Sequence, residues 1–217
     1  ATQRGQCICA GAVVSAVRLP WRGSDGLTVH GASAWAGGLL LAALMVCTRG
    51  QHVASLDGLP SASWAVFFLA GALLRPVWML PLLFGLASAL DLAGMAAGSI
   101  SDWCVSPAYW ALALAYAALW CGGRVYAMRL HRGGWRDLPR LLLALVLSGS
   151  VAYLLPKGGF YVFSGRYPQA SLAGFIARVP QYYPPALGGL AAYVGAVLAV
   201  RASVHAVIPR STLGVGT

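Results

Sequence analysis

The sequence predicts an all-α, polytopic integral membrane protein with six transmembrane helices, and three observations carry that prediction. Hydrophobic residues make up 59% of the 217 positions and charged residues only 9%, with a mean hydropathy of +0.72; ordinary soluble domains carry about 25% charge. The apolar residues fall in runs separated by breaks rich in Gly, Pro and Arg. The length holds about six helices of roughly 17 to 25 residues with short links, and leaves no room for a soluble domain of usual size.

Residues 1–27 read as a basic cytoplasmic arm. Arg4, Arg18 and Arg22 surround the apolar stretch Cys7 to Val17, which at about eleven residues is too short to cross a bilayer. Its length also fits a signal-peptide core, but no clean small-x-small cleavage site precedes a soluble chain. Residues 28–203 form the six-helix domain, and 204–217 a short basic cytoplasmic tail. The first span is His30 to Thr48, with Trp35, and Trp64 on the next segment, as interface anchors. Ala32, Ala36, Gly38, Ala42 and Ala43 repeat small residues at spacings near four, which lets another helix approach closely. Two uses stay open for that stripe: internal packing, or a docking face for a partner subunit on Ala32, Ala36, Gly38 and Ala42.

A polar loop holding His52 and Asp57 follows. Two short runs come next, Trp64 to Leu74 and Val77 to Leu90, with a turn expected at Arg75-Pro76 because Pro lacks an amide hydrogen and disfavours helix in the residue before it. One long kinked helix is the alternative. Asp91 is expected to end this third helix, and the fourth runs from Ala108 to Cys121. Between them, Asp91 to Tyr109 interrupts the apolar chain with a carboxylate, the Cys104 thiol and a phenol. Polar chemistry gathered at a membrane boundary is a site candidate. A basic loop with Arg124, Arg129, Arg132, Arg136 and Arg140 leads to a fifth helix, Leu138 to Leu155. The segment Pro156 to Pro185 reads as an ordered outer cap, since aromatics at its density favour burial or ligand contact. The sixth helix is Ala186 to Val200.

The basic residues orient this plan. With both termini cytoplasmic, eleven Lys and Arg lie inside and four (Arg49, Lys157, Arg166, Arg178) outside, as the positive-inside rule requires. The loops holding His52, Asp91 to Tyr109, and Pro156 to Pro185 then share the outer face and converge on one outward pocket.

Other function classes find little support. The net charge of +10 is scattered along loops rather than interleaved with aromatics, so nucleic acid is not the partner. Cys7, Cys9, Cys47, Cys104 and Cys121 form neither CxxC pairs nor a disulfide framework. No HExxH, DxxD or Ser-His-Asp arrangement points to an enzyme, no helix centre carries a haem-type histidine, and no Walker A motif allows the chain to hydrolyse ATP itself. A permease for a small vitamin or a metal ion is compatible with the plan.

The spacing of His52, Asp91, Cys104 and Tyr109, the six-helix plan and the FSGRY run at Phe163 to Tyr167 resemble the BtuM family. These are small bacterial membrane proteins similar to the substrate-binding S-components of energy-coupling factor transporters, and they are assigned to vitamin B12 uptake. The resemblance covers roughly residues 28–203. It implies an S-component-like bundle in the bacterial cytoplasmic (inner) membrane, with cobalamin as the transported ligand and Cys104 as an axial ligand of its cobalt. It also implies that His52 and Asp91 contact the corrin's amide rim or tune the thiol, that Tyr109 hydrogen-bonds or packs against the macrocycle, and that Tyr161, Arg166 and Tyr167 complete the binding set. The energising partner is either an energy-coupling factor module docked on the first helix or none. A soft thiolate is a strong donor for a transition metal, which makes the implied cobalt bond chemically sensible.

The charge count yields a topological test. In intact spheroplasts an impermeant thiol reagent is expected to label a cysteine introduced at Ser164 and not one introduced at Gly133; the reverse pattern overturns the outward pocket.

Overall fold

The computed structural model describes residues 32–49, 61–97, 109–131, 137–163 and 171–207. Among them the chain is helical, with no strand: α1 (Ala32–Arg49), α2 (Ser63–Leu73), α3 (Met79–Ala96), α4 (Tyr109–Val125), α5 (Leu138–Phe163), the short α6 (Leu172–Ile176) and α7 (Val179–Val207). Four stretches are long and apolar enough to cross a membrane: Met79–Ala96, Trp110–Leu130, Leu138–Val162 and Val179–Val200; the described apolar parts of α1 and α2 are shorter.

The core is built around α2. Nine of its eleven residues are buried, from Ser63 and Ala65 through Ala72, and α1, α3, α4 and α7 all pack on it. Two glycines set the closest approach. A Cβ added at Gly71 of α2 would collide with the backbone carbonyl of Trp120 on α4, and one added at Gly123 of α4 with that of Phe68 on α2. The two backbones touch, as small residues allow in apolar bundles. The outer surface is apolar as well: Leu39, Leu82, Leu92, Trp110, Leu147 and Val200 are all exposed, and such an exterior suits lipid rather than water.

The expected break at Arg75-Pro76 is present, and no single kinked helix forms. Leu74 is extended, its N–H closes the end of α2 on Ala70 O, and the chain turns before Met79. Several expected boundaries need correction. Asp91 does not end the third helix, which runs on to Ala96, because Leu92-Ala93-Gly94-Met95 continue an apolar face and the carboxylate finds a partner inside the bundle. The fourth helix passes Cys121 to Val125 and then widens into a π turn, Tyr126–Leu130. Gly122-Gly123 do not break it, since close packing against Ser148 and Phe68 uses the space their missing side chains leave. Arg124 and Arg129 are therefore helical.

The largest difference concerns the long outer loop. The fifth helix continues through Pro156 to Phe163, and the last begins at Val179, passes through Pro184 and Pro185 and ends at Val207 rather than Val200, inside the expected tail. A proline inside a helix loses a hydrogen bond at about 3 kcal/mol, yet both helices run through theirs, over 26 and 29 residues. Of the expected cap, Ser171 to Arg178 stays outside the long helices and carries α6, while 164–170 lie outside the described residues.

The glycine contact is testable by melting the protein in detergent. Gly71→Ala and Gly123→Ala are each expected to destabilise by about 1–3 kcal/mol or more through overpacking. Gly85→Ala, where nothing lies within 4 Å of the added carbon, leaves the midpoint unchanged or raises it slightly.

Candidate functional site

Polar chemistry gathers at one end of the bundle, where α1 stops, α2 starts, α3 and α5 finish, and α4 and α7 begin. Thr48 ties the first two together: its hydroxyl donates to Leu44 O at 2.8 Å and accepts the Ala62 N–H at 3.1 Å. Arg49, the last residue of α1, is placed where a cation meets the negative end of its own helix.

From there it reaches three helices. Arg49 Nε donates to Asp91 Oδ1 at 2.8 Å and Nη2 to Asp91 Oδ2 at 2.6 Å, the parallel fork that makes guanidinium–carboxylate pairs strong and directional. Its Nη1 donates to Ser63 Oγ at 2.9 Å and to the Tyr116 hydroxyl. The Tyr116 ring stacks on Phe67 at 4.0 Å with planes 9° apart, meets Phe84 edge-on, and lies under the guanidinium at 5.7 Å. The Arg49 and Asp91 side chains keep only 13% and 15% of their surface exposed.

The helix register explains why Asp91 points inward. Met79, Leu83 and Ala87 are the buried row of α3, and Asp91 is the next position four residues on. Side chains four apart share a helix face.

The same end holds part of the expected cap. Tyr161, near the end of α5, is buried under α6: its ring is 5.6 Å from Phe175, and the Arg178 guanidinium lies 5.9 Å from its centroid. Gly174 admits this contact, because an added Cβ would come within 2.6 Å of the Tyr161 hydroxyl. Ser171 caps α6 by accepting the Gly174 N–H at 3.1 Å. Tyr183 near the start of α7 shares a hydrogen bond of 2.8 Å with Ser150 and packs edge-on against Tyr153.

Of the residues singled out in the sequence, Asp91 and Tyr161 lie at this end, and Tyr109 is the first residue of α4 there. His52, Cys104, Arg166 and Tyr167 lie outside the described residues. The described ends that flank them, Arg49 and Ser61, Ala97 and Tyr109, Phe163 and Ser171, belong to the same end. The small residues of α1 divide. Gly38 faces α3, where an added Cβ would meet the Met79 side chain at 2.8 Å, and Ala42 packs on the core; Ala36 is exposed. Gly38 and Ala42 thus serve internal packing rather than an outward stripe. Ala32 belongs to α1.

Sequence reasoning misses Arg49, Ser63 and Tyr116 as members of the cluster. A lone Arg closing an apolar run is the available signal, together with the four-residue row that leads to Asp91.

The opposite end is also polar. Arg124 donates to the carbonyls of Leu74 and Arg75 at 2.6 and 2.7 Å and lies over the Trp120 ring. His131 sits 3.4 Å from the buried Asp137, which also accepts from Arg140 at 3.1 Å.

No protein-family model matches the chain, and no curated protein matches it.

Removing one partner from a largely buried ion pair leaves the other charge uncompensated. Asp91→Ala is therefore expected to destabilise by about 3 kcal/mol or more, and Ser63→Ala by about 1 kcal/mol, both measured as thermal midpoints in detergent.

Proposed function

We propose that this chain is a six-span bacterial inner-membrane protein for the uptake of cobalamin, with its ligand pocket at the end of the bundle that holds Asp91 and Tyr161 and with Cys104 as the axial ligand of the corrinoid cobalt. The observation that carries the reading is convergence. The described helix ends flanking His52, Cys104 and Arg166 fall at one end of the bundle, linked there by Thr48 to Ala62, Arg49 to Asp91, Gly159 beside Ala111 and Tyr161 to Phe175, although those residues are far apart in sequence. The apolar helices and apolar exterior support a membrane location, and the mixture of carboxylate, phenols and aromatics at that end suits a large ligand with amide groups around an apolar ring.

In this reading the outer end binds the corrinoid and the thiolate of Cys104 takes one of cobalt's two axial positions. A soft sulfur donor displaces the tethered base or small ligand that occupied it, with the thiol proton released to water. His52, Asp91, Tyr109, Tyr161, Arg166 and Tyr167 would surround the macrocycle. Energy for transport comes either from a separate coupling module with its own ATPases or from none, the protein then acting as a solitary carrier.

The test is an absorption spectrum of purified protein titrated with hydroxocobalamin. The parent is expected to shift the visible bands of the corrinoid. Cys104→Ser, which swaps sulfur for a hard hydroxyl, is expected to abolish the shift and weaken binding, whereas Cys47→Ser and Cys121→Ser do neither. A Cys104→Ser protein with the parent's spectrum and affinity overturns the cobalt assignment and favours a permease for another small vitamin.

A further inference from the structure

The geometry points to Arg49 as the positioning residue of this ligand end: its guanidinium fork fixes the Asp91 carboxylate in one rotamer, and ligand affinity depends on that pair. The inference rests on the corrinoid reading and adds a residue to it.

Three observations carry it. First, one guanidinium ties α1 to three other helices: through both oxygens of Asp91 on α3, through Ser63 on α2, and through Tyr116 on α4. Arginine is the side chain suited to this, since its planar fork keeps its proton and matches a carboxylate edge. Second, both partners are mostly buried, at 13% and 15% exposure. Desolvation offsets most of the attraction in such a pair, and replacement by uncharged groups of similar shape is often neutral for stability. Stability alone therefore gives little reason for charges here, and ionisable groups within apolar bundles mark functional positions. Third, the pair sits at the end where α3 and α4 bracket the segment that follows Asp91, rather than in the middle of the bundle.

Arg49 acts through Asp91. Without the guanidinium, the Asp91 carboxylate loses the fork that orients both of its oxygens, and the ligand end loses an acceptor held in one position. The shared hydrogen bond to Tyr116, whose ring is held by Phe67, limits the movement of the Arg49 head group.

The experiment compares four variants of the full chain in detergent, each measured by hydroxocobalamin titration and by thermal melting. Arg49→Gln is expected to bind about tenfold more weakly or worse and to melt lower, because Asp91 loses its bidentate partner. Arg49→Lys keeps the charge as a single point and is expected to recover part of the affinity. Asp91→Asn is expected to weaken binding to a similar degree. The double variant Arg49→Gln with Asp91→Asn is decisive: two amides can pair without charge, so its midpoint is expected within about 3 °C of the parent while its affinity stays low. A double variant that binds like the parent overturns the inference and leaves the corrinoid reading standing. A double variant that melts far below the parent also overturns it, since the charges then serve stability, as does an Arg49→Gln protein of unchanged affinity. A parent that does not bind hydroxocobalamin fails the corrinoid reading itself and this inference with it.

Discussion

Gly71 and Gly123 let α2 and α4 meet along their backbones, and the positions of the other helices follow from that contact. No side chain separates the two axes, and Phe68 and Trp120 are both buried beside the crossing. Phe67 then lies flat against Tyr116, which holds the phenol at a fixed height on α4. The end of α1 meets that phenol because Thr48 binds the first turn of α2. One backbone contact thus decides where the hydroxyls of Ser63 and Tyr116 stand, and so where a cation is stabilised.

The two ends of the bundle solve one problem in different ways. A chain break in apolar surroundings strands carbonyls, and an unsatisfied carbonyl is costly to bury. At the Pro76 break Arg124 takes the carbonyls of Leu74 and Arg75, so a basic residue serves the backbone. At the other end Arg49 takes a carboxylate instead. The first arrangement is explained by structure alone. The second is a guanidinium–carboxylate pair, and the Arg124 end holds one as well, in the buried Asp137 with Arg140.

Much of the architecture is legible from local pattern. The apolar runs, the break at Arg75-Pro76 and the helical character of every described element follow from hydropathy and from proline's missing donor. The ends of the helices are not legible. Pro156, Pro184 and Pro185 suggest loop by the same rule that succeeds at Pro76, yet at these positions α5 and α7 continue. The difference is context: Arg75-Pro76 falls between two helices that run in opposite directions, whereas the other prolines sit within single long apolar helices, Leu138–Phe163 and Val179–Val207. The double glycine at Gly122-Gly123 likewise reads as a helix end, but serves as a packing surface.

The candidate site divides the same way. Composition determines that the helices are apolar, and the rarity of charge makes Asp91 conspicuous as soon as the chain is written out; its place in the row Met79, Leu83, Ala87 even states which face it shares. What no local pattern contains is the partner. Arg49 is 42 residues from Asp91 and 67 from Tyr116 in sequence, and it counts from composition only as one more basic residue in a loop. Register along a helix is a property of adjacent residues and can be read directly. Which helix lies opposite is settled by the backbone contact of α2 with α4 and by the burial of many side chains at once, so only the tertiary structure turns a lone carboxylate and a lone guanidinium into a pair.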